Sequence, residues 1–357
     1  MNQNNTIPSK GNRLPAFDIL KVFAIFMVLW GHCISGFQSI PASHDSVYRI
    51  IYSFHMPLFM MIAGFFSVNS YRLCFKVLIK KKFLELIFPV IVWGVFFFIC
   101  NSIICLLHNE DIYPIYDLKA IYIKNLWFLK SAFICYITAY FCFRNNNWIL
   151  LFITLIISQF IIFHNICIMY PSFCMGVILR KNMGLLTNKS LMALSSLIFI
   201  LMLLNWDESF WVTEGMWPAP NMLKTLTTGD STYLILYLQK GVYRIIIGIV
   251  GSIAFITFFN IYFSHSKNDF IKTVAIWGQF TLGIYISQSY ILEYILGSYI
   301  NMDNTNFFLF HFIITPFISM ILLFILTHFV MLTYKNRMLS FLMWGKYQKT
   351  QCNSINK

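Results

Sequence analysis

The chain has 357 residues, 59% hydrophobic and only 11% charged, whereas an ordinary soluble domain carries about 25% charged residues. A soluble core cannot bury that much apolar surface, Phe alone occurring 38 times, but a bilayer can, and the length allows about ten spans of roughly 20 residues. The net charge of +13 does not imply nucleic acid, because the basic residues lie mainly in loops, where they act as topology signals.

The fold class expected is all-α, a polytopic transmembrane helical bundle. Residues 1–16 form a cytoplasmic N-terminal segment, 17–334 the membrane domain and 335–357 a basic cytoplasmic tail. The first apolar run, Phe17 to Phe37, is too long for a signal-peptide core and no small-residue cleavage pattern follows it, so it reads as a retained helix. Further apolar runs fall at about 48–68, 83–107, 126–143, 148–163, 166–179, 190–205, 240–263, 274–297 and 307–333. Each must be helical, since backbone amides in hydrocarbon have to be satisfied within the segment. The short 166–179 run carries Pro171 and Gly176, consistent with a broken or tilted helix.

With ten spans, every basic loop falls on one side. That side holds Lys10, Arg13, Arg72, Lys76, Lys80, Lys81, Lys82, Arg144, Arg180, Lys181, Lys189, Lys267, Lys272 and the tail. The opposite loops hold Asp45, Glu110, Asp111, Asp117, Asp207, Glu208, Glu214, Asp230 and Asp303. Both termini are therefore expected in the cytoplasm. The long external loop, about 206–239, carries Trp206, Trp211 and Trp217, which suit interfacial anchoring better than sugar stacking. The cysteines show no metal-ligand or disulfide spacing, so neither a metal nor a bound cofactor is expected.

Ionisable side chains inside spans are costly and mark functional sites by default. They are Asp18, Lys21, His32, His55, Glu85, Lys130, Arg244, Glu293, His311 and His328. Lys21 and His32 are 11 residues apart, about three turns, so they share a helix face about 16 Å apart along the axis. Asp18 sits one turn before Lys21 and can pair with it. His55 and Glu293 are expected at a depth comparable with His32. The plain alternative for a lone membrane histidine is an interhelical hydrogen bond. That reading is preferred for His311, and interfacial snorkelling for His328.

The stretch Arg13-Leu-Pro-Ala-Phe-Asp18-Ile-Leu-Lys21, continuing to Trp30-Gly31-His32, resembles the opening of the acyltransferase-3 family of membrane acyltransferases, whose basic-x10-His pattern Lys21 and His32 match. The branch it resembles is that of fucose 4-O-acetylase-like proteins. Tyr52-Ser-Phe-His55-Met-Pro57, Ala63-Gly64-Phe65-Phe66, Lys80-Lys81-Lys82, Leu126-Trp127-Phe128-Leu129-Lys130 and Gly278-Gln-Phe-Thr-Leu-Gly283-Ile-Tyr285 also look like family landmarks, in family order. Two features depart from the pattern. Ser287-Gln288 stands where many relatives carry His, and no strict Arg-x-x-Arg follows helix two.

The resemblance implies O-acyl transfer, usually of acetyl, from cytoplasmic acyl-coenzyme A to a hydroxyl of a cell-surface or lipid-linked glycan, in a bacterial inner membrane. Acetyl-coenzyme A is then a cosubstrate, not a resident cofactor. His32 is the expected general base or transient acyl carrier, with His55 and Glu293 orienting it or relaying protons. Lys21 with Arg72, Lys76, Lys80, Lys81 and Lys82 would bind the donor's phosphates. Asp18 would support Lys21, while Trp127, Lys130 and Arg244 would bind acceptor or stabilise the oxyanion. A proton-coupled transporter or flippase is the competing class, although no paired half-repeats are visible.

Overall fold

The computed structural model describes residues 14–108, 122, 126–161, 163–210, 224–266, 268–296 and 300–345, and no strand occurs among them. The residues before Leu14, the tail beyond Gly345, Trp211 and Trp217 lie outside the described residues, as does the side chain of Glu293.

Helix α1 covers Pro15–Phe37. Proline at its first position loses nothing, because that amide has no intrahelical partner in any helix. Helix α2, Ser46–Ser67, is capped by Asp45, whose Oδ1 accepts from the Tyr48 amide at 2.7 Å. The two helices run antiparallel: Phe17 stacks on Phe65 at 4.3 Å between centroids, and Gly31 at the other end abuts the Tyr52 ring. Next come α3 (Phe75–Lys82), a π-helical turn (Phe83–Ile87) and α4 (Phe88–His108). The π turn ends two residues before Pro89, which has no amide to donate back to Glu85.

Helices α5 (Trp127–Arg144), α6 (Trp148–Gln159), α7 (Ile166–Lys181) and α8 (Lys189–Leu204) follow. Helix α7 is continuous through Pro171. It crosses α2 where Gly64 meets the Phe173 carbonyl and Gly176 meets the Met61 carbonyl. A Cβ on either glycine would sit 1.9 or 2.0 Å from those oxygens, so only glycine permits the crossing.

Helix α9 (Val242–Phe263) packs across α2, and α10 (Asp269–Trp277) and α11 (Thr281–Tyr290) form the ninth apolar stretch. That stretch is broken at 278–280, not continuous as the apolar pattern suggested. Gly278 lies against the Asp18 carbonyl at the start of α1, a contact that any side chain there would block. Helices α12 (Thr315–Lys335) and α13 (Arg337–Trp344) complete the order.

Among the described residues, five helices are long and apolar enough to cross a bilayer: Pro15–Phe37, Ser46–Arg72, Phe75–Leu106, Leu234–Phe263 and Phe307–Lys335. Their surfaces are inverted relative to a soluble protein. Helix α12 exposes Phe317, Phe324 and Ile325 while burying Thr315, Ser319 and Thr327. Apolar side chains facing out and small hydroxyls facing in suit a lipid solvent, where small residues let helices approach closely.

The ends of this framework opposite Lys21 are tied by polar contacts. Trp30 of α1 donates to the His311 carbonyl and to Thr315 Oγ1. Ser39 donates to Asp303 from both its amide and its hydroxyl, each at 2.7 Å, which holds that carboxyl below its ordinary range. The tether is therefore kept above the usual carboxylate pKa and released only as pH falls through the lowered one. His311 Nε2 meets Asp45 Oδ2 at 2.5 Å, both side chains nearly fully buried, while His311 Nδ1 donates to the Phe307 carbonyl. Both ring nitrogens thus face acceptors, and the pair clamps the start of α2 to the last long helix.

Removing either member leaves a buried polar group without its partner, at a cost of about 3–5 kcal/mol. We expect Asp45→Asn and His311→Leu each to lower the melting temperature in detergent markedly, and the double variant to lose less than the sum. A double-mutant thermal cycle measures that coupling. Purely additive losses would mean that the pair does not interact.

Candidate active site

The site begins with a proline. Pro57 lies inside α2 and has no amide, so the Ser53 carbonyl gets no helical partner. Gly248 of α9 crosses at this point, with room for no Cβ against the Pro57 ring. One turn before Gly248, the same crossing delivers Arg244, whose Nη2 reaches the Tyr52 carbonyl at 3.4 Å. The guanidinium lies over the Trp206 ring at 5.3 Å, and Trp206 donates to the Arg49 carbonyl at 2.9 Å. Trp206 therefore braces Arg244 and is buried.

Between α1, α2, α5, α7 and α9 lies a cavity of about 360 Å3. It is lined by His32, Tyr48, Tyr52, Ser53, Met56, Pro57, Trp127, Asn165, Ile168, Met169 and Arg244. The volume lies within the range of small-molecule sites, roughly 300–1,000 Å3. Tyr48 and Tyr52, one turn apart on α2, stack at 3.9 Å and present a flat aromatic wall. Polar groups of several kinds therefore converge on an otherwise apolar space: an imidazole, a guanidinium, a carboxamide and a hydroxyl.

Two left-handed backbone positions shape the wall. Leu126 adopts φ 51° immediately before α5 and is buried, aiming Trp127 at the cavity. His164 and Asn165 are consecutively left-handed, at φ 53° and 55°, just before α7. Such positions are uncommon outside glycine, with Asn and His among the more tolerant types. The Ser131 hydroxyl of α5 donates to the His164 carbonyl and pins the turn that presents Asn165.

His32, Trp127 and Arg244, all named from sequence, thus meet in one cavity. His55 does not line it. Its Nδ1 donates to the Ile51 carbonyl at 2.8 Å, and its ring meets Tyr52 edge-on at 4.3 Å, within electrostatic range of His32 and Arg244. It stands behind the tyrosine wall. Glu293 belongs to the π-helical segment Ile291–Leu296, and its side chain lies outside the described residues. Lys130 sits three residues beyond Trp127 and bonds the Tyr122 carbonyl at 2.5 Å, away from the lining.

Lys21 lies at the far end of α1, paired with Asp18 at 2.9 Å and over the Phe66 ring at 4.8 Å. The basic run of α3 divides. Lys76, Lys80 and Lys81 border an open hollow of about 440 Å3, and Arg72 is exposed nearby in sequence. Lys82 turns inward, bonds Glu85 at 2.7 Å and lies over the Tyr136 ring at 4.1 Å. It does not join the exposed group. Tyr48, Tyr52, Ser53 and Asn165 were not singled out by sequence. Tyr52 and Ser53 stand within the Tyr52-to-Pro57 landmark, whereas Asn165 carries no local signal beyond the His-Asn pair. No cluster of His, Cys, Asp or Glu among the described residues could hold a metal.

The acyltransferase-domain family profile matches residues 14–342, nearly the whole chain. The chain belongs to the acyltransferase-3 family. With its apolar helices, this makes it a multi-pass membrane protein of that family. It is also similar to nodulation protein NolL of Mesorhizobium japonicum, 31% identical over 130 residues, a match covering 35% of this chain and 35% of the relative. No solved structure matches the chain.

Proposed function

We propose that this protein is an O-acetyltransferase of the fucose 4-O-acetylase-like branch. It would move an acyl group from cytoplasmic acyl-coenzyme A to a hydroxyl of a cell-surface or lipid-linked glycan. The observation that carries this reading is the opening of His32 onto a cavity walled by Tyr48, Tyr52 and Arg244. Family membership supports the transfer chemistry. The distribution of basic loops supports about ten spans with both termini cytoplasmic, in a bacterial inner membrane.

In this scheme the acceptor sugar stacks on the Tyr48–Tyr52 wall, and Asn165 and Ser53 hydrogen-bond its hydroxyls. The His32 imidazole takes the proton from the reacting hydroxyl as its oxygen attacks the thioester carbonyl carbon. Arg244 stabilises the oxyanion. The carbon–sulfur bond then breaks, and the imidazolium returns the proton to the coenzyme A thiolate. His55 and Glu293 act at one remove, His55 by holding the tyrosine wall and the His32 environment. Ping-pong kinetics would instead assign His32 as a transient acyl carrier.

Lys21, one end of α1 away from His32, marks the donor side with Arg72, Lys76, Lys80 and Lys81. Charge-assisted contacts to phosphates predict that Lys76→Gln, Lys80→Gln and Lys81→Gln combined raise the KM for acetyl-coenzyme A several-fold, with kcat kept. Lys82→Gln is expected to lower folded yield instead, because it removes a buried cation that bonds Glu85 and lies over the Tyr136 ring. Steady-state kinetics at two ionic strengths separates these effects, and a donor KM indifferent to the triple change would remove the exposed lysines from donor binding.

The direct test uses membranes containing the protein, radiolabelled acetyl-coenzyme A and a cell-envelope glycan extract, with thiol release followed in parallel. Label in the glycan above membranes lacking the protein supports the reading. Glycan movement across the membrane without thiol release would point to a carrier.

A further inference from the structure

A second, smaller cavity of about 90 Å3 lies beside the His32 cavity, walled by Met56, Phe59, Phe128, Thr281, Leu282 and Tyr285. The two adjoin. Met56 lines both, and the neighbours Trp127 and Phe128 at the start of α5 each face one of them. Three rings form a collar, with Phe128 meeting Phe59 edge-on at 6.0 Å and Tyr285 at 5.6 Å. Among the described residues, no charged side chain lines the slot. Among its few polar groups, the Thr281 hydroxyl is turned to the Gly278 carbonyl of its own chain turn.

Its position along the helices is fixed by contacts already described. Tyr52 lies beside Gly31 and Phe65 is stacked on Phe17, so Phe59 falls between the levels of His32 and Lys21. Gly278 abuts Asp18, which places Thr281, about one turn further on, in the same interval. The slot therefore stands between the Lys21 end of α1 and the His32 cavity.

We propose that this slot receives the acyl group of the thioester donor and restricts it to short, uncharged chains. The inference rests on the acyltransferase reading above and deepens it by naming the donor class. The cavity volume equals roughly three waters' share of liquid, enough for an acetyl group and tight for anything much longer. The half-buried rings of Phe59, Phe128 and Tyr285, in contact with one another, narrow the slot against an extending chain. A succinyl group would bring a carboxylate into a space that none of the described residues lines with a cation, at a large desolvation cost. Phe59, Phe128 and Tyr285 are thus specificity-determining residues.

The test is a donor series on the purified full chain: acetyl-, butyryl-, octanoyl- and succinyl-coenzyme A, with glycan acceptor constant, for wild type, Phe128→Ala and Tyr285→Leu. Wild type is expected to favour acetyl over octanoyl by at least about 100-fold in kcat/KM, since two poorly fitted methylenes at about tenfold each already reach that and octanoyl carries more. Succinyl is expected to be as poor as octanoyl. Phe128→Ala should narrow the acetyl-to-octanoyl ratio by about tenfold while leaving succinyl poor. Each ratio is taken within one preparation, so loss of folded protein cancels.

Wild type accepting octanoyl or succinyl within threefold of acetyl would overturn the slot assignment, as would an unchanged ratio in both variants. Should a variant be inactive with every donor, the wild-type series decides alone. Wild type transferring from no donor would overturn the acyltransferase reading, and the slot with it. Transfer with a flat donor profile would overturn the slot only.

Discussion

His32→Ala is expected to lower kcat for acyl transfer by about 10²–10⁴-fold, the usual worth of a positioned general base. The fold should survive. His32 lies on the cavity face of α1, whose packing rests on other residues: Phe17 against Phe65, Gly31 against Tyr52 and Trp30 against Thr315. Alanine is also a better helix former than histidine. The donor KM should change little, because the exposed lysines and Lys21 lie elsewhere. A matching fall in kcat and kcat/KM, with unchanged melting temperature, is the pattern of an interaction made only in the transition state. A large rise in donor KM with kcat preserved would make His32 a binding residue instead.

Gly176→Val should be among the most damaging single changes to the fold. The Cβ that any other residue adds at 176 would lie 2.0 Å from the Met61 carbonyl oxygen and 2.9 Å from the Phe65 amide, both rigid backbone. No side-chain rotation relieves that clash, so α2 and α7 must separate. The separation would open the packing around Phe65 and Phe173 and shift Tyr48 and Tyr52 away from Asn165. Overpacking usually costs about 1–3 kcal/mol, and a backbone clash at a helix crossing belongs at or beyond the upper end. A fall in detergent melting temperature on the order of 10 °C, with reduced folded yield, is the expected result. A wild-type melting temperature in Gly176→Val would show that the two helices do not cross as described. Gly64→Val makes the reciprocal contact, with the Phe173 carbonyl, and should behave alike.

What could be read from sequence was what one helix carries by itself. Asp18, Lys21 and His32 share a single uninterrupted helix, so their spacing alone gave the pair and the direction of the site. Composition likewise revealed lipid-facing surfaces, because a bilayer demands long apolar helices. The cavity depends on crossings, which no local pattern announces. Arg244 reaches it because Gly248 passes Pro57, and Asn165 because Ser131 pins a left-handed turn.

Consecutive lysines show the same limit. Lys80, Lys81 and Lys82 point about 100° apart around α3, so two stay outside while the third turns in to Glu85. The break at Gly278 was hidden because an apolar pattern persists through it. Only the arrival of α1 at that glycine shows why the chain turns there.

The central claim is that acyl groups cross from donor thioester to acceptor hydroxyl at the cavity holding His32. Its most direct measurement reconstitutes purified wild-type and His32→Ala protein with doubly labelled acetyl-coenzyme A and glycan, counting acyl-glycan formed and thiol released. The account predicts one thiol released per acyl group transferred by wild type, and both rates lowered by about 10²–10⁴-fold in His32→Ala protein of equal folded content. Equal one-for-one transfer by both proteins would contradict it.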